Sequence, residues 1–166
     1  MMQLKVIAPT EIRRFRRMVE AYWQDVMPLA GVVQDKQRRY AYFLQSFSWQ
    51  DGNRSPLWAV VDGHTIGFIH YTFDANNNCV TIEDFYIAPH QRRKGYGTLM
   101  IQTLYTSLDA LGVELVELNV RRDNPQAGAF WEVQGFRIAL YRMRQYRNPQ
   151  TGRSFVGALS SDFVTE

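Results

Sequence analysis

The chain has 166 residues, a formal net charge of +3, and 46% hydrophobic and 14% aromatic side chains. This composition excludes a disordered chain, and the length fits one domain, 1–166, with a single core. The one cysteine, Cys79, excludes an internal disulfide, and no apolar run approaches the roughly 20 residues that a membrane-spanning helix needs. We therefore expect a cytoplasmic protein without a membrane-embedded part.

The N-terminal part of the chain predicts a strand followed by two helices. Residues 2–7 suit a short strand, and Thr10 can cap a helix whose apolar side chains recur at spacings of three and four, namely Ile12, Phe15, Val19, Tyr22 and Val26. Pro28 and Gly31 end that helix. Asp35 can cap a second helix that runs to about Ser46 and turns three apolar side chains inward, Tyr40, Phe43 and Leu44.

From Leu57 onward the apolar pattern takes the period of strands. "LWAVV" runs into Asp62-Gly63, which is a strong hairpin signal. "TIGFIHYTF" returns to a second turn at residues 76–78, and "CVTIEDFYI" follows that turn. These three segments predict an antiparallel meander.

The C-terminal half continues with helices and strands in alternation. A helix that starts near Gly97 and ends at Gly112 presents one apolar face, formed by Met100, Ile101, Leu104, Leu108 and Leu111. "VELVELNV" predicts a strand, Asn124 caps a short helix that ends at Gly135, and "FRIALYRMRQY" and "SFVGAL" are the last strand candidates. The predicted order is β-α-α-β-β-β-α-β-α-β-β, an α/β fold with a mixed sheet.

The stretch "PHQRRKGYGTLM", residues 89–100, predicts a phosphate site. It sets Arg92, Arg93 and Lys94 before a Gly-x-Gly and then opens a helix, whose N-terminus offers free N–H groups and partial positive charge. A surface loop that holds two glycines and three cations is the alternative. The spacing fits no Walker A loop, and Met100 stands where a dinucleotide fingerprint needs its third glycine.

The pattern Arg92-x-x-Gly95-x-Gly97, after an "EDFYI" strand and before an amphipathic helix, resembles motif A of the GNAT superfamily of acetyl-CoA-dependent N-acetyltransferases. "NPQAGAFWEVQGF", residues 124–136, resembles the second signature of that family. The resemblance covers most of the chain, because the predicted element order is also the order of the family. It implies a GNAT-like fold and an acyltransferase that takes its acetyl group from acetyl-CoA.

The resemblance also implies which residues bind the coenzyme. In such proteins the strand before the loop separates from its neighbour, and its free backbone groups pair with the pantetheine arm; the matching positions are Phe85, Tyr86 and Ile87. The pyrophosphate would lie on the N–H groups of 93–98, with side-chain charge from Arg92 and Lys94. The coenzyme-binding set is then completed by Arg93, Gly95, Tyr96, Gly97, Thr98, Asn124 and Trp131.

Acetyl transfer to an amine requires a base, because the acceptor arrives as an ammonium ion. Glu83 and Asp84 are adjacent on a strand, so their side chains should point to opposite faces unless a bulge or the strand twist brings the second one near. The acidic pair resembles the diamine (spermidine/spermine) acetyltransferase branch of the family. We expect Glu83 to be a water-mediated base and Asp84 to attract the cationic acceptor; a carboxylate paired with a nearby arginine is the alternative.

Trp131 departs from the family pattern. Many members carry a tyrosine at the matching position, which is taken to protonate the departing thiolate, and an indole N–H cannot do so at neutral pH. Three accounts stay open: another phenol such as Tyr86 or Tyr141 substitutes, water does, or the chain binds the coenzyme with weak or no transferase activity. We place Tyr86 with Glu83 and Asp84 as the catalytic residues.

The acceptor is expected to be a small-molecule primary amine: a polyamine, an amino acid or an antibiotic-like amine. A protein N-terminus or lysine and a non-catalytic acyl-CoA sensor are the alternatives, and nearly balanced charges and the absence of a reader motif disfavour nucleic acid. The family lines its acceptor cleft with the first two helices and their loop, here with candidates Trp23, Asp25, Asp35 and Tyr40. No metal site is expected, and family members often form dimers, so a homodimer stays open.

Overall fold

The computed structural model describes residues 1–26, 36–47 and 54–140. Within these ranges lie five strands, β1 (Met2–Val6), β2 (Arg54–Val61), β3 (His64–Asp74), β4 (Cys79–Ile87) and β5 (Leu115–Leu118). Four α-helices accompany them, α1 (Ile12–Val26), α2 (Lys36–Ser46), α3 (Tyr96–Ala110) and α4 (Pro125–Val133). Short 3-10 turns cover Pro9–Glu11 and Pro89–Gln91. The order through α4 is the one that the sequence predicts.

The five strands form one mixed sheet in the order β1-β2-β3-β4-β5. The first four are antiparallel neighbours, and β5 pairs with β4 in parallel. The predicted hairpin lies between β2 and β3, where Asp62 and Gly63 have φ angles of 48° and 80°. Two consecutive left-handed residues are what a tight two-residue hairpin turn requires, so this turn prediction is confirmed.

Helices cover the sheet on both faces, and each face has its own apolar core. On the first face, which we call the α1/α2 face, Phe15 is completely buried and its ring contacts those of Phe43, Phe47, Trp58 and Phe68. On the second, the α3/α4 face, the buried stripe of α3 packs against the aliphatic side chains of the strands, with Met100, Ile101, Leu104 and Leu108. The single core expected from the sequence is thus divided by the sheet.

Two predictions about the N-terminal helices are wrong. Thr10 is not a helix cap: it lies inside the 3-10 turn, and the Glu11 carboxylate instead accepts the N–H of Ala8 at 3.2 Å and the indole N–H of Trp58 at 3.1 Å. Tyr40 and Leu44 are exposed, whereas Phe43 and Phe47, which directly follows α2, are buried one helical turn apart.

The C-terminal elements also differ in part from the predictions. Leu111 is 68% exposed because it lies beyond the last turn of α3, where the buried stripe has ended at Leu108. Residues 136–140 form no strand, although they begin the predicted "FRIALYRMRQY". The remainder of that segment, Tyr141 and "SFVGAL" lie outside the described residues. Within the described part of the chain no helix is long and apolar enough to cross a membrane.

Gly67 on β3 allows an unusually close approach of β4. A methyl group at this position would lie 1.9 Å from the carbonyl oxygen of Tyr86, well inside van der Waals contact. The neighbouring atom belongs to the backbone of a central strand, which cannot move aside without breaking the ladder. Gly67 therefore sets the position of the β4 segment that carries Tyr86.

We expect Gly67→Ala to lower the free energy of unfolding by about 3 kcal/mol or more, as overpacking against a rigid backbone does. The matched control is Gly128→Ala in α4, where a methyl group meets nothing within 4 Å outside its own helix. Because alanine favours helix by up to ~1 kcal/mol over glycine, the control should be neutral or more stable. Urea unfolding measures both, and equal stabilities for the two variants would contradict the assignment.

Candidate functional site

Strand β4 parts from β5 halfway along its length. The parallel pairing joins Cys79–Ile82 to Leu115–Leu118 and then stops, so residues 83–87 are not paired with β5. On the other side β4 stays paired with β3 as far as Ile87. Because the groups of an antiparallel strand alternate in direction and the N–H of Ala88 bonds β3, the backbone groups of Phe85 and Ile87 point away from β3. The gap expected from the sequence is present.

The loop after β4 presents a row of backbone N–H groups at the start of α3. Arg93 and Gly95 have left-handed φ angles of 61° and 78°, and the first backbone hydrogen bond of the helix runs from Leu99 N–H to Gly95 O at 3.0 Å. The N–H groups just before Leu99 therefore have no acceptor within the helix. Alternating conformations and an open helix N-terminus make an anion-binding concavity, which fits a pyrophosphate.

The cations of this loop have different surroundings. Arg92 donates from Nε to the carbonyl oxygen of Ile87 at 2.8 Å and from its guanidinium to Asp25 on α1, while its charge lies 5.6 Å from the ring centre of Tyr86. Arg93 is exposed, and it forms no ion pair within the described residues. Lys94 is also exposed and bonds the amide oxygen of Gln91 at 3.2 Å. Arg92 thus ties the loop to α1, and its contact with phosphate stays a prediction.

Gly97 allows two aromatic side chains to pack closely against the start of α3. A methyl group there would lie 3.0 Å from Phe130 on α4 and 3.8 Å from Phe85. These two rings pack edge-to-face against Trp131, which is buried and has centroid distances of 5.0 Å to Phe85 and 4.9 Å to Phe130. The aromatic cluster explains why residue 131 is large and apolar. Trp131 belongs to the core of the α3/α4 face and packs against Phe85 of β4.

A β-bulge lies at the acidic pair. In the β3–β4 register Tyr71 faces Ile82 and His70 faces Asp84, so Glu83 is the extra residue of the bulge. Ile82 and Tyr71 contribute to the core of the α3/α4 face, whereas His70 contacts Phe47, the residue after α2, on the other face. The extra residue resets the alternation of side chains. The expectation that Glu83 and Asp84 point to opposite faces is therefore wrong.

Both carboxylates are bonded to β3 side chains of the α1/α2 face. Thr72 donates its hydroxyl to Glu83 Oε1 at 3.1 Å, and Asp84 Oδ2 lies 3.0 Å from Nδ1 of His70. Glu83 is exposed, the Asp84 side chain is 19% exposed, and the His70 side chain is 4% exposed. The structure thus places two carboxylates side by side at the point where β4 leaves β5.

His70 is the residue that the sequence analysis missed. It attracts no attention in the sequence because it fits no metal spacing and stands in an otherwise apolar strand. The alternation of β3 places it on the same face as Phe68, but only the bulge in β4 brings it opposite Asp84. No pattern in the sequence marks that bulge.

Tyr86 lies on the same face as the two carboxylates. It is 4% exposed and packs against Tyr22 and Phe68 at centroid distances of 5.6 and 5.8 Å. Burial raises the pKa of its phenol above the ordinary value, and the nearby Arg92 only partly opposes this effect. Tyr86 is therefore protonated at neutral pH, which is the form that a proton donor must have.

The remaining candidates have structural surroundings. Trp23 is buried in the core of the α1/α2 face, Asp25 pairs with Arg92, and the exposed Tyr40 lies beneath Arg16, whose guanidinium is 5.2 Å from the ring centre. Asp35 lies outside the described residues. Cys79 is buried, and burial raises the pKa of its thiol, so it lacks the thiolate character of a nucleophile.

The sequence model of the acetyltransferase (GNAT) family matches residues 15–136, and the chain belongs to this family. This result confirms the resemblance inferred from the two motifs, and it agrees with acetyl-CoA as the cofactor, which acetyltransferases of this family use.

Three similar proteins illustrate the match. An L-2,4-diaminobutyric acid acetyltransferase of Nocardia farcinica (strain IFM 10152) is 32% identical over 101 residues, which are 60% of this chain and 50% of that relative, so the match spans about half of its length. The structure of YycN from Bacillus subtilis has a TM-score of 0.73 at 16% identity, covering 88% of this chain and 98% of that one. PaiA N-acetyltransferase from Thermoplasma acidophilum, in complex with coenzyme A, has a TM-score of 0.67 at 15% identity, covering 86% and 93%. The two structures show the fold alone.

Asn124 caps α4 as the sequence predicts. Its side-chain oxygen accepts the N–H of Ala127 at 3.1 Å, and Pro125 occupies the first helical position. We expect Asn124→Ala to lower the free energy of unfolding by about 1 kcal/mol, whereas Asn124→Ser should keep it, because serine caps equally well. Chemical denaturation of both variants checks this, and equal losses would mean that the cap is not the source of the effect.

Proposed function

We propose that the protein is an N-acetyltransferase that transfers the acetyl group of acetyl-CoA to a primary amine of a small cationic molecule, by direct attack in a ternary complex. The observation that carries the proposal is the pair of carboxylates, Glu83 and Asp84, on one face of β4 where this strand parts from β5. Anionic groups beside an acyl-transfer site attract a cationic acceptor and can accept its proton.

The chain's residues fit the coenzyme that the family uses. Backbone groups of Phe85 and Ile87 in the gap can pair with amide groups, although the Ile87 carbonyl already accepts a bond from Arg92. The N–H groups of 93–98, together with Lys94 and the exposed Arg93, can hold a pyrophosphate, with Gly95, Tyr96, Gly97 and Thr98 forming the turn. Asn124→Ser keeps the helix cap but lacks the amide, so a loss of coenzyme affinity in that variant would support a direct contact.

Glu83 is the better placed of the two carboxylates to act as base. It is exposed, and the hydroxyl of Thr72 donates to its Oε1, so the carboxylate lies at the surface, where it can accept a proton directly or through water. Asp84 is largely enclosed and bonded to His70, so its charge can attract the acceptor without leaving its place. These positions agree with the division of roles inferred from the sequence.

Acetyl-CoA supplies an acyl thioester, so a proton donor near the departing sulfur assists the reaction. Trp131 packs among Phe85, Phe130 and Phe136 and has no acidic proton at neutral pH. Tyr86 carries a protonated phenol on the face of the two carboxylates, and we assign the donor role to it. Because Tyr86 is deeply packed, its hydroxyl can act only from a fixed position.

A diamine or a diamino acid is the acceptor class that the site favours. Two adjacent carboxylates on one face can hold two cationic groups, or one ammonium while the other carboxylate accepts its proton. The name of the Nocardia relative, an L-2,4-diaminobutyric acid acetyltransferase, supports the same class. A second candidate function is an acyl-CoA-binding protein without turnover, which the replacement of the usual tyrosine by Trp131 favours.

Calorimetric titration with acetyl-CoA, followed by thiol-release assays on the same preparation, tests the proposal. The acceptor panel should contain L-2,4-diaminobutyrate, spermidine, monoamines, aminoglycosides and peptides. We expect coenzyme binding and turnover of the diamines. Binding without turnover of any acceptor would favour the non-catalytic protein, and a failure to bind would reject the coenzyme site.

We expect Glu83→Gln to lower kcat roughly 100-fold near neutral pH, the order of effect of a lost general base, with acetyl-CoA affinity unchanged. The deficit should shrink as pH rises, because a larger fraction of the acceptor amine is then already deprotonated. The matched control is Glu117→Gln on β5, whose carboxylate is likewise exposed and bonded to a threonine, Thr81, at 3.2 Å.

Full pH–rate profiles of both variants decide the role of Glu83. A wild-type profile for Glu83→Gln would remove this residue from catalysis. Equal losses in the two variants would assign the effect to general surface charge rather than to a base.

A further inference from the structure

The His70–Asp84 pair is a buried polar contact in an otherwise apolar layer. His70 has only 3% of its surface exposed, and its ring lies 4.8 Å from that of Phe47 at the end of α2. Its Nδ1 is 3.0 Å from Asp84 Oδ2, while its Nε2 is buried and has no hydrogen-bond partner among the residues that the structure describes. A buried polar atom without a partner is uncommon in proteins and calls for an explanation.

The contact with Asp84 determines which ring nitrogen carries the proton. An ionised carboxylate can only accept hydrogen bonds, so Nδ1 must donate. A neutral imidazole with its proton on Nδ1 leaves only a lone pair at the buried Nε2. The other tautomer would place two acceptors 3.0 Å apart and would also leave an N–H group buried without an acceptor.

We propose that His70 is a positioning residue of the acceptor site, in which its Nδ1–H group holds Asp84 Oδ2 and directs the second carboxylate oxygen to a cationic group of a diamine or diamino acid. The proposal rests on the proposed function, since Asp84 is taken there to attract the acceptor. The His70–Asp84 pair then selects acceptors that carry a second amine, and Glu83 accepts the proton.

Three features of the surroundings support this division. The Phe47 ring prevents the imidazole from swinging toward solvent, so the hydrogen bond to Asp84 has a fixed direction. The Asp84 side chain nevertheless keeps 19% of its exposure, so one oxygen remains accessible while the other is held. The bulge at Glu83 sets the two carboxylates on the same face, where one acceptor molecule can reach both.

Two substitutions separate the hydrogen bond from the volume of the ring. His70→Asn keeps an N–H donor near the position of Nδ1 and removes the unpaired Nε2. His70→Leu keeps an apolar side chain in the layer and removes the donor. His64→Leu at the exposed start of β3 is the control for replacing a histidine, because its Nδ1 contacts a backbone carbonyl, that of Asp62, rather than a carboxylate.

The kinetic test compares L-2,4-diaminobutyrate with n-butylamine under acetyl-CoA saturation. His70→Leu should raise KM for the diamino acid roughly tenfold, the order expected when a hydrogen bond to a charged group is lost, while kcat changes little. KM for the monoamine and the affinity for acetyl-CoA should stay at wild-type values, and His70→Asn should restore most of the selectivity. Equal losses for both acceptors, or an Asn variant as impaired as the Leu variant, would overturn the proposal.

Long-range nitrogen–proton NMR of the histidine rings tests the hydrogen bond without any turnover. The three histidines, His64, His70 and His90, are few enough to assign by the loss of one signal set in His70→Asn. We expect His70 to carry its proton on Nδ1 and to lose that preference in Asp84→Asn. If the proton is on Nδ1 but the protein has no acetyltransferase activity, the hydrogen bond stands and the proposed function is rejected. A proton on Nε2 would overturn the positioning role of His70 whether or not the protein is active.

Discussion

The parting of β4 from β5 after Ile82 is the constraint on which the site depends. Four residues of β4 pair with β5, and the next residue, Glu83, is a bulge against β3. A bulge bends its strand and increases the local twist, so the same extra residue that resets the side-chain alternation also helps to turn β4 away from β5. One local irregularity thus accompanies the gap between β4 and β5 and brings the acidic pair to one face.

The sheet divides the core, and neighbouring residues of β4 point to different faces of it. Phe85 points to the α3/α4 face, where Trp131, Phe130 and the start of α3 form a rigid wall next to the phosphate loop. Asp84 and Tyr86 point to the α1/α2 face, where aromatic rings enclose the sheet. Under the proposed function, the contacts to the coenzyme and to the acceptor would come from alternate residues of the same short strand segment.

Arg92 connects the loop after β4 to α1 and to β4 itself. Its guanidinium binds Asp25 at the end of α1 and the last carbonyl of β4, and its charge lies over the Tyr86 ring. An arginine can do all of this at once because its planar group offers five donors in fixed directions. The loop that follows can then keep the left-handed angles of Arg93 and Gly95, which expose its N–H groups.

The order of elements through α4, the Asp62-Gly63 hairpin, the Asn124 cap, the open helix N-terminus after β4 and the family itself could be predicted from the sequence, because hydrophobic period, turn chemistry and motif spacing are local properties. Only the tertiary structure decided which face each side chain of β4 takes, the pairing of Arg92 with Asp25, and the partnership of His70 with Asp84. A bulge arises from the competition between the β3–β4 ladder and packing on both faces of the sheet, and no local pattern records it. Tyr40 and Leu44 also look like core residues in the sequence and are exposed in the fold, because the way α2 packs on the sheet decides which of its side chains are buried.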